Sequence, residues 1–275
     1  MSTCFKKFLS GMTLTLAMTG SAIAASPASE QASVLAPKMI LVHGAHFTAQ
    51  SWAALQQRLG GDISSHAVEL PGRNDHLKPS AVSLDISAAS LCQFMGTISG
   101  DKMLVAHSQG GAIVNASLAL CPEENITDIV YVTAVAPLNK TKVFSLLSEK
   151  DDEYYYSGVK YNESSDLLEI SDMSNFAATF AQDANAAQKK TLAELAVNEP
   201  GPVGASKVKL NEARFNQIDK YYVYAKEDKI ISFESQKEIA ETLALKGSYE
   251  IDSGHLPMLT KVDQLADILR TIHAK

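Results

Sequence analysis

An α/β domain, with a mostly parallel sheet covered by helices on both faces, is what the sequence predicts. Short continuous apolar runs recur at 39–42, 67–70, 103–106, 129–135, 221–225 and 248–251, and such runs suit strands buried on both faces. Segments with helical periodicity lie between them, and strands that alternate with helices imply parallel crossovers. From Pro137 to about Asn216 no convincing strand pattern shows. That stretch reads as a helical cap inserted between two sheet strands.

Along the chain, Lys6 and Lys7 precede an apolar stretch from Phe8 to about Ala24 that ends in Ala22, Ile23 and Ala24. This is the pattern of an export leader with its cleavage site, so residues 1–24 are expected to be a signal peptide, cut after Ala24 or Ala25. Ser10, Gly11, Thr13, Thr15, Thr19, Gly20 and Ser21 make it too polar for a comfortable membrane span. The expected product is exported, to the periplasm or beyond, without a membrane span. Residues 25–37, rich in Ala, Ser and Pro, form a flexible lead-in. About 250 residues then remain after the cut, the size of one large α/β domain, assigned to 38–275 with the cap at about 138–216.

Helical faces are marked by Trp52, Leu55 and Leu59; by Leu84, Ile86, Leu91, Phe94 and Met95; by Ile113, Ala116, Leu118 and Leu120; by Ile239, Leu243 and Leu245; and by Val262, Leu265, Ile268 and Leu269. Within the cap the amphipathic pieces are Val143–Leu147, Phe176–Phe180 and Leu192–Val197. The run Asp151, Asp152, Glu153, Tyr154, Tyr155, Tyr156 has two readings, a pocket lining or a solvated loop, and the second is the commoner meaning of such a charge run.

The formal net charge of −7 and the lack of a basic cluster exclude a nucleic-acid partner. Cys4 leaves with the leader. Cys92 and Cys121 fall near the ends of two helices that flank one strand, in a compartment that permits disulfides; they form either a disulfide or two buried thiols. Nothing in the pattern speaks to oligomeric state.

The chemistry is concentrated in a few loops. Val105, Ala106, His107, Ser108, Gln109, Gly110 and Gly111 follow a buried strand and open a helix, the context of a nucleophile elbow. Small residues must lie two positions either side of the strained serine, as Ala106 and Gly110 do. A serine needs a base, and His255 stands in the loop after the last strand and before the last helix. The base needs a carboxylate behind it. Asp228 ends the strand 221–225 and completes the chain order Ser, Asp, His; Glu227 and Asp252 are the competing carboxylates. Backbone N–H groups of Ala45, in the loop after the first strand, and of Gln109 are the expected oxyanion donors. His43 is expected to brace that loop. His43 and His46 have a spacing that could pair on a metal, but the glycine turn between them argues for loop structure.

Leu41 to Ala45 with Ser51 and Trp52, the segment Leu70, Pro71, Gly72, the elbow at Ser108, and Asp228 with His255 together resemble the α/β-hydrolase superfamily. Within it the chain is similar to the branch of plant methyl-ester esterases, hydroxynitrile lyases and their bacterial esterase relatives. The resemblance spans roughly 38–272 and is weakest across the cap. It implies an α/β-hydrolase fold, the Ser108, His255 and Asp228 triad with the Ala45 and Gln109 donors, and a carboxylic-ester hydrolase that forms an acyl-enzyme on a small or medium ester without metal or cofactor. Hydroxynitrile lyases of this branch typically carry threonine after the first histidine and lysine after the catalytic one. Here Gly44 and Leu256 stand instead, which favours ester hydrolysis. The alternatives are an amidase, lactonase or lyase on the same triad, or a ligand-binding protein of the same fold without turnover.

Overall fold

The structure, a computed structural model, describes residues 36–73 and 77–275. The predicted leader, nearly all of the lead-in, and Asn74, Asp75 and His76 lie outside the described residues. In chain order the strands are β1 (Lys38–Val42), β2 (Ser65–Ala67), β3 (Lys102–His107), β4 (Ile126–Val132), β5 (Val159–Asn162), β6 (Leu167–Ile170), β7 (Glu199–Pro200), β8 (Asp219–Ala225) and β9 (Gly247–Ile251). The helices are α1 (Ala53–Leu59), α2 (Leu84–Gly96), α3 (Gly110–Leu120), α4 (Glu149–Gly158), α5 (Met173–Phe180), α6 (Ala186–Leu195), α7 (Gly201–Ala205), α8 (Glu212–Gln217), α9 (Phe233–Glu241), α10 (Pro257–Thr260) and α11 (Val262–His273).

Six strands make a fully parallel sheet in the order β2-β1-β3-β4-β8-β9. Met39–Val42 and all of β3 are buried, which is why these segments appear in the sequence as unbroken apolar runs. The chain moves outward from β1 to β2, then returns across β1 to β3. Right-handed crossovers therefore place α1 and α2 on opposite faces. On one face α2 packs against α3, and on the other α1 packs against α11. The registers Val42 with Ala106, His107 with Val132, Val132 with Val223 and Ala225 with Ile251 bring the strands to an end at one level. Every loop that carries a predicted site residue leaves from that carboxyl edge, where open α/β sheets bind ligands.

Two strand assignments shift. β2 is Ser65–Ala67, and the apolar run 67–70 mostly follows it as a buried loop, with Val68 and Leu70 each 1 % exposed; its apolar character reflects core contact rather than strand pairing. β4 begins earlier than expected and stops at Val132, because Thr133 turns the chain with φ +37°.

The expected helical insertion is present, but the expectation that it holds no strand is corrected. The insertion between β4 and β8 contains α4 to α8 and an antiparallel sheet, β5-β6-β7. β5 and β6 are four residues long with partly exposed faces and β7 is two buried residues, all too short for an apolar run to register. Val143–Leu147 forms turns rather than a helix. The acidic run 151–156, read above chiefly as a solvated loop, lies in α4, opened by a reciprocal capping box between Ser148 and Asp151. Among the described residues no helix is long and apolar enough to cross a membrane.

Cys92 in α2 and Cys121 at the end of α3 form a disulfide, with Cα atoms 5.7 Å apart. Closing a loop with a sequence separation of 29 restricts the unfolded chain, and the loop-entropy relation gives about 3.5 kcal/mol. Cys92→Ser is expected to lower unfolding stability by roughly that amount, checked by urea unfolding with and without reductant. Unchanged stability would show that the link contributes nothing.

Candidate active site

Ser108 sits in the turn between β3 and α3 with φ +52°, a left-handed conformation that costs energy for a residue with a side chain. The turn fits because its neighbours lack side chains. A Cβ at Gly110 would lie 2.7 Å from the Val42 carbonyl oxygen and 2.8 Å from that of His43. One at Gly44 would lie 2.6 Å from Ser108 Cβ, so the loop after β1 can pass directly against the serine only with glycine there.

The structure brings Ser108, His255 and Asp228 together. His255 Nε2 is 3.0 Å from Ser108 Oγ, and its Nδ1 is 2.7 Å from Asp228 Oδ2. All three side chains are buried or nearly so. Asp228 Oδ1 accepts the Ile230 and Ile231 N–H groups at 2.7 and 3.1 Å, while the Thr133 hydroxyl donates to Oδ2. An ionised carboxylate is acceptor-only, so His255 carries its proton on Nδ1. Nε2 then faces the serine with a lone pair. Glu227 is exposed, and Asp252 pairs with Lys226 at 2.7 Å; neither reaches the ring. Thr133, which the sequence reading did not single out, holds the carboxylate from behind. Gln236 in α9 steadies the same loop, its amide oxygen accepting the Ala225 N–H at 2.9 Å and its amide nitrogen donating to the Ala225 and Ile231 carbonyls at 2.8 and 2.7 Å.

Three further histidines surround this trio, each buried and held well below the ordinary imidazole value chiefly by desolvation. His107 ends β3, directly before Ser108. Its Nε2–H donates to the His255 backbone carbonyl at 2.8 Å, with the two rings 4.7 Å apart, so it fixes the loop that carries His255. His43 Nδ1–H donates to the Gly44 carbonyl, and its Nε2 accepts the Leu70 N–H at 3.3 Å, tying the loop after β1 to the chain beyond β2. His46, at about 3, is neutral; its Nδ1–H donates to the Val197 carbonyl at 3.0 Å and its Nε2 accepts the Tyr155 hydroxyl at 2.7 Å. All four ring nitrogens of the His43 and His46 pair are thus engaged in hydrogen bonds.

Among the described residues no protein acceptor takes the backbone N–H of Ala45 or of Gln109. Ala45 and Ser108 line the floor of a cleft walled by Phe144, Leu147, Tyr155, Leu168, Phe180, Ile230 and Ile231. The insertion therefore contributes most of the wall, chiefly with apolar and aromatic groups. Asp151, Asp152 and Tyr156 complete the lining from α4; burial, then the neighbouring Asp151, raises the pKa of Asp152. Asp151 is consumed by structure. Its carboxylate accepts the Ser148 and Ser232 N–H groups at 2.8 and 3.0 Å and the Ser235 hydroxyl at 2.5 Å. Arg73, in the loop after Pro71 and Gly72, forms a fully buried ion pair with Glu199, its Nη2 lying 2.7 and 2.6 Å from the two carboxylate oxygens.

The profile of the alpha/beta hydrolase family matches residues 39–268. A chloroplastic protein of Arabidopsis thaliana that carries a methylesterase name is 24% identical over 259 residues, covering 87% of this chain and 73% of that protein. Among solved structures, a pyrethroid hydrolase from Sphingobium faniae superimposes with a TM-score of 0.74 at 18% identity, covering 86% of this chain and 97% of the other. An extracellular α/β-hydrolase from a Paenibacillus species gives 0.72 at 20% identity, covering 86% and 98%. At these identities the two structures are similar in fold.

Proposed function

The chain belongs to the α/β-hydrolase family, and from that premise we propose that it is a carboxylic-ester hydrolase with Ser108 as nucleophile, His255 as general base and Asp228 as the carboxylate that orients it. The observation that carries the proposal is the continuous hydrogen-bonded line from Asp228 Oδ2 through the His255 ring to Ser108 Oγ, at 2.7 and 3.0 Å. As Ser108 Oγ bonds to the ester carbonyl carbon, its proton passes to His255 Nε2 and the carbonyl π pair moves onto oxygen, where the Ala45 and Gln109 N–H groups receive it. The helix that starts at Gly110 adds the partial positive charge of its N-terminus. Collapse expels the alcohol oxygen, which takes the proton from His255. Water, deprotonated by the same imidazole, then cleaves the acyl-enzyme and releases the acid.

The apolar cleft suits an uncharged acyl or alcohol group of small to medium size. Leu256, 1 % exposed beside His255, offers no cation to a departing anion, which supports hydrolysis over lyase chemistry. We also propose that the protein works outside the cytoplasm; the leader pattern and the Cys92–Cys121 disulfide both suit an oxidising compartment.

A fluorophosphonate probe tests the reading. One equivalent should attach per chain, mass spectrometry should map it to Ser108, and hydrolysis of p-nitrophenyl esters should fall in step with labelling. A label at another residue, or turnover that survives full labelling, would refute it.

A further inference from the structure

His46 directly follows Ala45, whose N–H is one of the two proposed oxyanion donors, and its φ is +65°. A residue with a side chain stays in that conformation only where its surroundings impose it. Here the insertion imposes it through every polar group the residue has. The His46 N–H donates to Glu199 Oε2 at 3.2 Å, and its carbonyl accepts the Val197 N–H at 3.0 Å. Nδ1–H donates to the Val197 carbonyl, and Nε2 accepts the Tyr155 hydroxyl. Edge-on contacts with Phe176 and Phe180, at 5.5 and 6.0 Å between ring centres, enclose the imidazole.

Glu199 is itself aimed. The Arg73 guanidinium, from the chain beyond β2, bridges both of its oxygens, and neither side chain is exposed. A buried ion pair adds little stability over well-packed apolar groups. This one does something an apolar pair could not, since it orients a carboxylate oxygen toward one backbone N–H.

We propose that Glu199, Arg73 and Tyr155 are positioning residues for the oxyanion hole, acting through His46: they hold the Ala45–His46 peptide, and this restricts how Ala45 can rotate and so keeps the N–H of the adjoining Gly44–Ala45 peptide aimed at the developing negative charge. The Ala45–His46 peptide is pinned on its nitrogen side by Glu199, and the His46 ring beyond it is pinned by Tyr155. The insertion thereby controls the rate of the chemistry as well as the shape of the cleft. The inference rests on the ester-hydrolase reading above. Its support from titration is secondary: burial keeps His46 neutral, so Nε2 remains an acceptor for the tyrosine at any working pH.

The test compares wild type, Tyr155→Phe and Glu199→Gln on p-nitrophenyl butyrate, and measures inhibition by an alkyl trifluoromethyl ketone, whose tetrahedral adduct puts an oxyanion in the hole. Deleting an oxyanion donor outright costs about 10²- to 10³-fold in kcat, and a misaimed donor costs less. The expected results are a loss in kcat of about fivefold for Tyr155→Phe and about 30-fold for Glu199→Gln, KM within about twofold of wild type, and a ketone Ki that rises by the same factors as kcat falls. If Glu199→Gln does not fold, Tyr155→Phe, which removes one oxygen atom, decides alone. Folded variants with unchanged kcat overturn the inference. So does a higher KM with the ketone Ki unmoved, which would make these residues cleft walls and cap tethers only. Absence of fluorophosphonate labelling at Ser108 in the wild type is a different outcome, and it removes the hydrolase reading itself.

Discussion

Asp228→Asn is expected to fold as wild type does and to turn over esters about 10⁴-fold more slowly. The reason lies in which atoms the carboxylate serves. Oδ1 accepts two backbone N–H groups, from Ile230 and Ile231, so an asparagine would turn its carbonyl oxygen to that side. Its NH2 group would then face His255 Nδ1, which at present donates to Oδ2 across 2.7 Å. Two donors cannot share a hydrogen bond, so the imidazole must take the other tautomer, with its proton on Nε2 pointing at Ser108 Oγ. The base would be present and useless. Steady-state kinetics with a thermal unfolding control checks this; a loss of less than about tenfold would show that Asp228 does not set the tautomer.

Stability should fall steeply in mild acid. His43, His46 and His107 are buried neutral in the folded protein, while in the unfolded chain each takes up a proton below a pH of about 6.5. Between that value and the depressed folded one, the unfolded state binds more protons, so stability drops as pH falls. Each histidine then costs about 1.4 kcal/mol per pH unit, and between pH 7.5 and 5.5 the three together remove about 4 kcal/mol. Glu199, with its pKa raised by burial and partly restored by Arg73, acts in the opposite direction, as one group against three. Urea unfolding at pH 7.5, 6.5 and 5.5 measures the effect. A flat profile would mean that these imidazoles accept protons within the native state.

The parts of the site that the sequence reveals are those that follow a recognisable strand. Ser108, Asp228 and His255 each leave the carboxyl end of β3, β8 or β9, and the parallel registers carry them to one edge. Thr133 escaped notice because it sits inside the apolar run 129–135. Its hydroxyl at the point where that run leaves the sheet was the available signal. Arg73 and Glu199 are 126 residues apart, and no local pattern encodes a partnership made only by folding. His107 was hidden for another reason: its bond goes to a backbone carbonyl, and any residue could supply that acceptor. In the insertion, Ser148 and Asp151 were a readable capping pair at the start of α4, outweighed by the charge run that follows them. The strands β5 to β7 could not be read, since two to four residues carry too little periodicity to separate from a loop.

The carboxylate of Asp151 finishes two helices at once. It closes the first turn of α4 on Ser148, and it also receives the Ser232 N–H and the Ser235 hydroxyl where α9 begins. The loop between Asp228 and α9, with Ile230 and Ile231, runs beside this junction. The insertion is therefore no interchangeable module: a segment transplanted from another hydrolase would have to bring an acid at position 151 and meet both serines. Without them, the frame around the acid member of the trio would loosen each time substrate choice was redesigned.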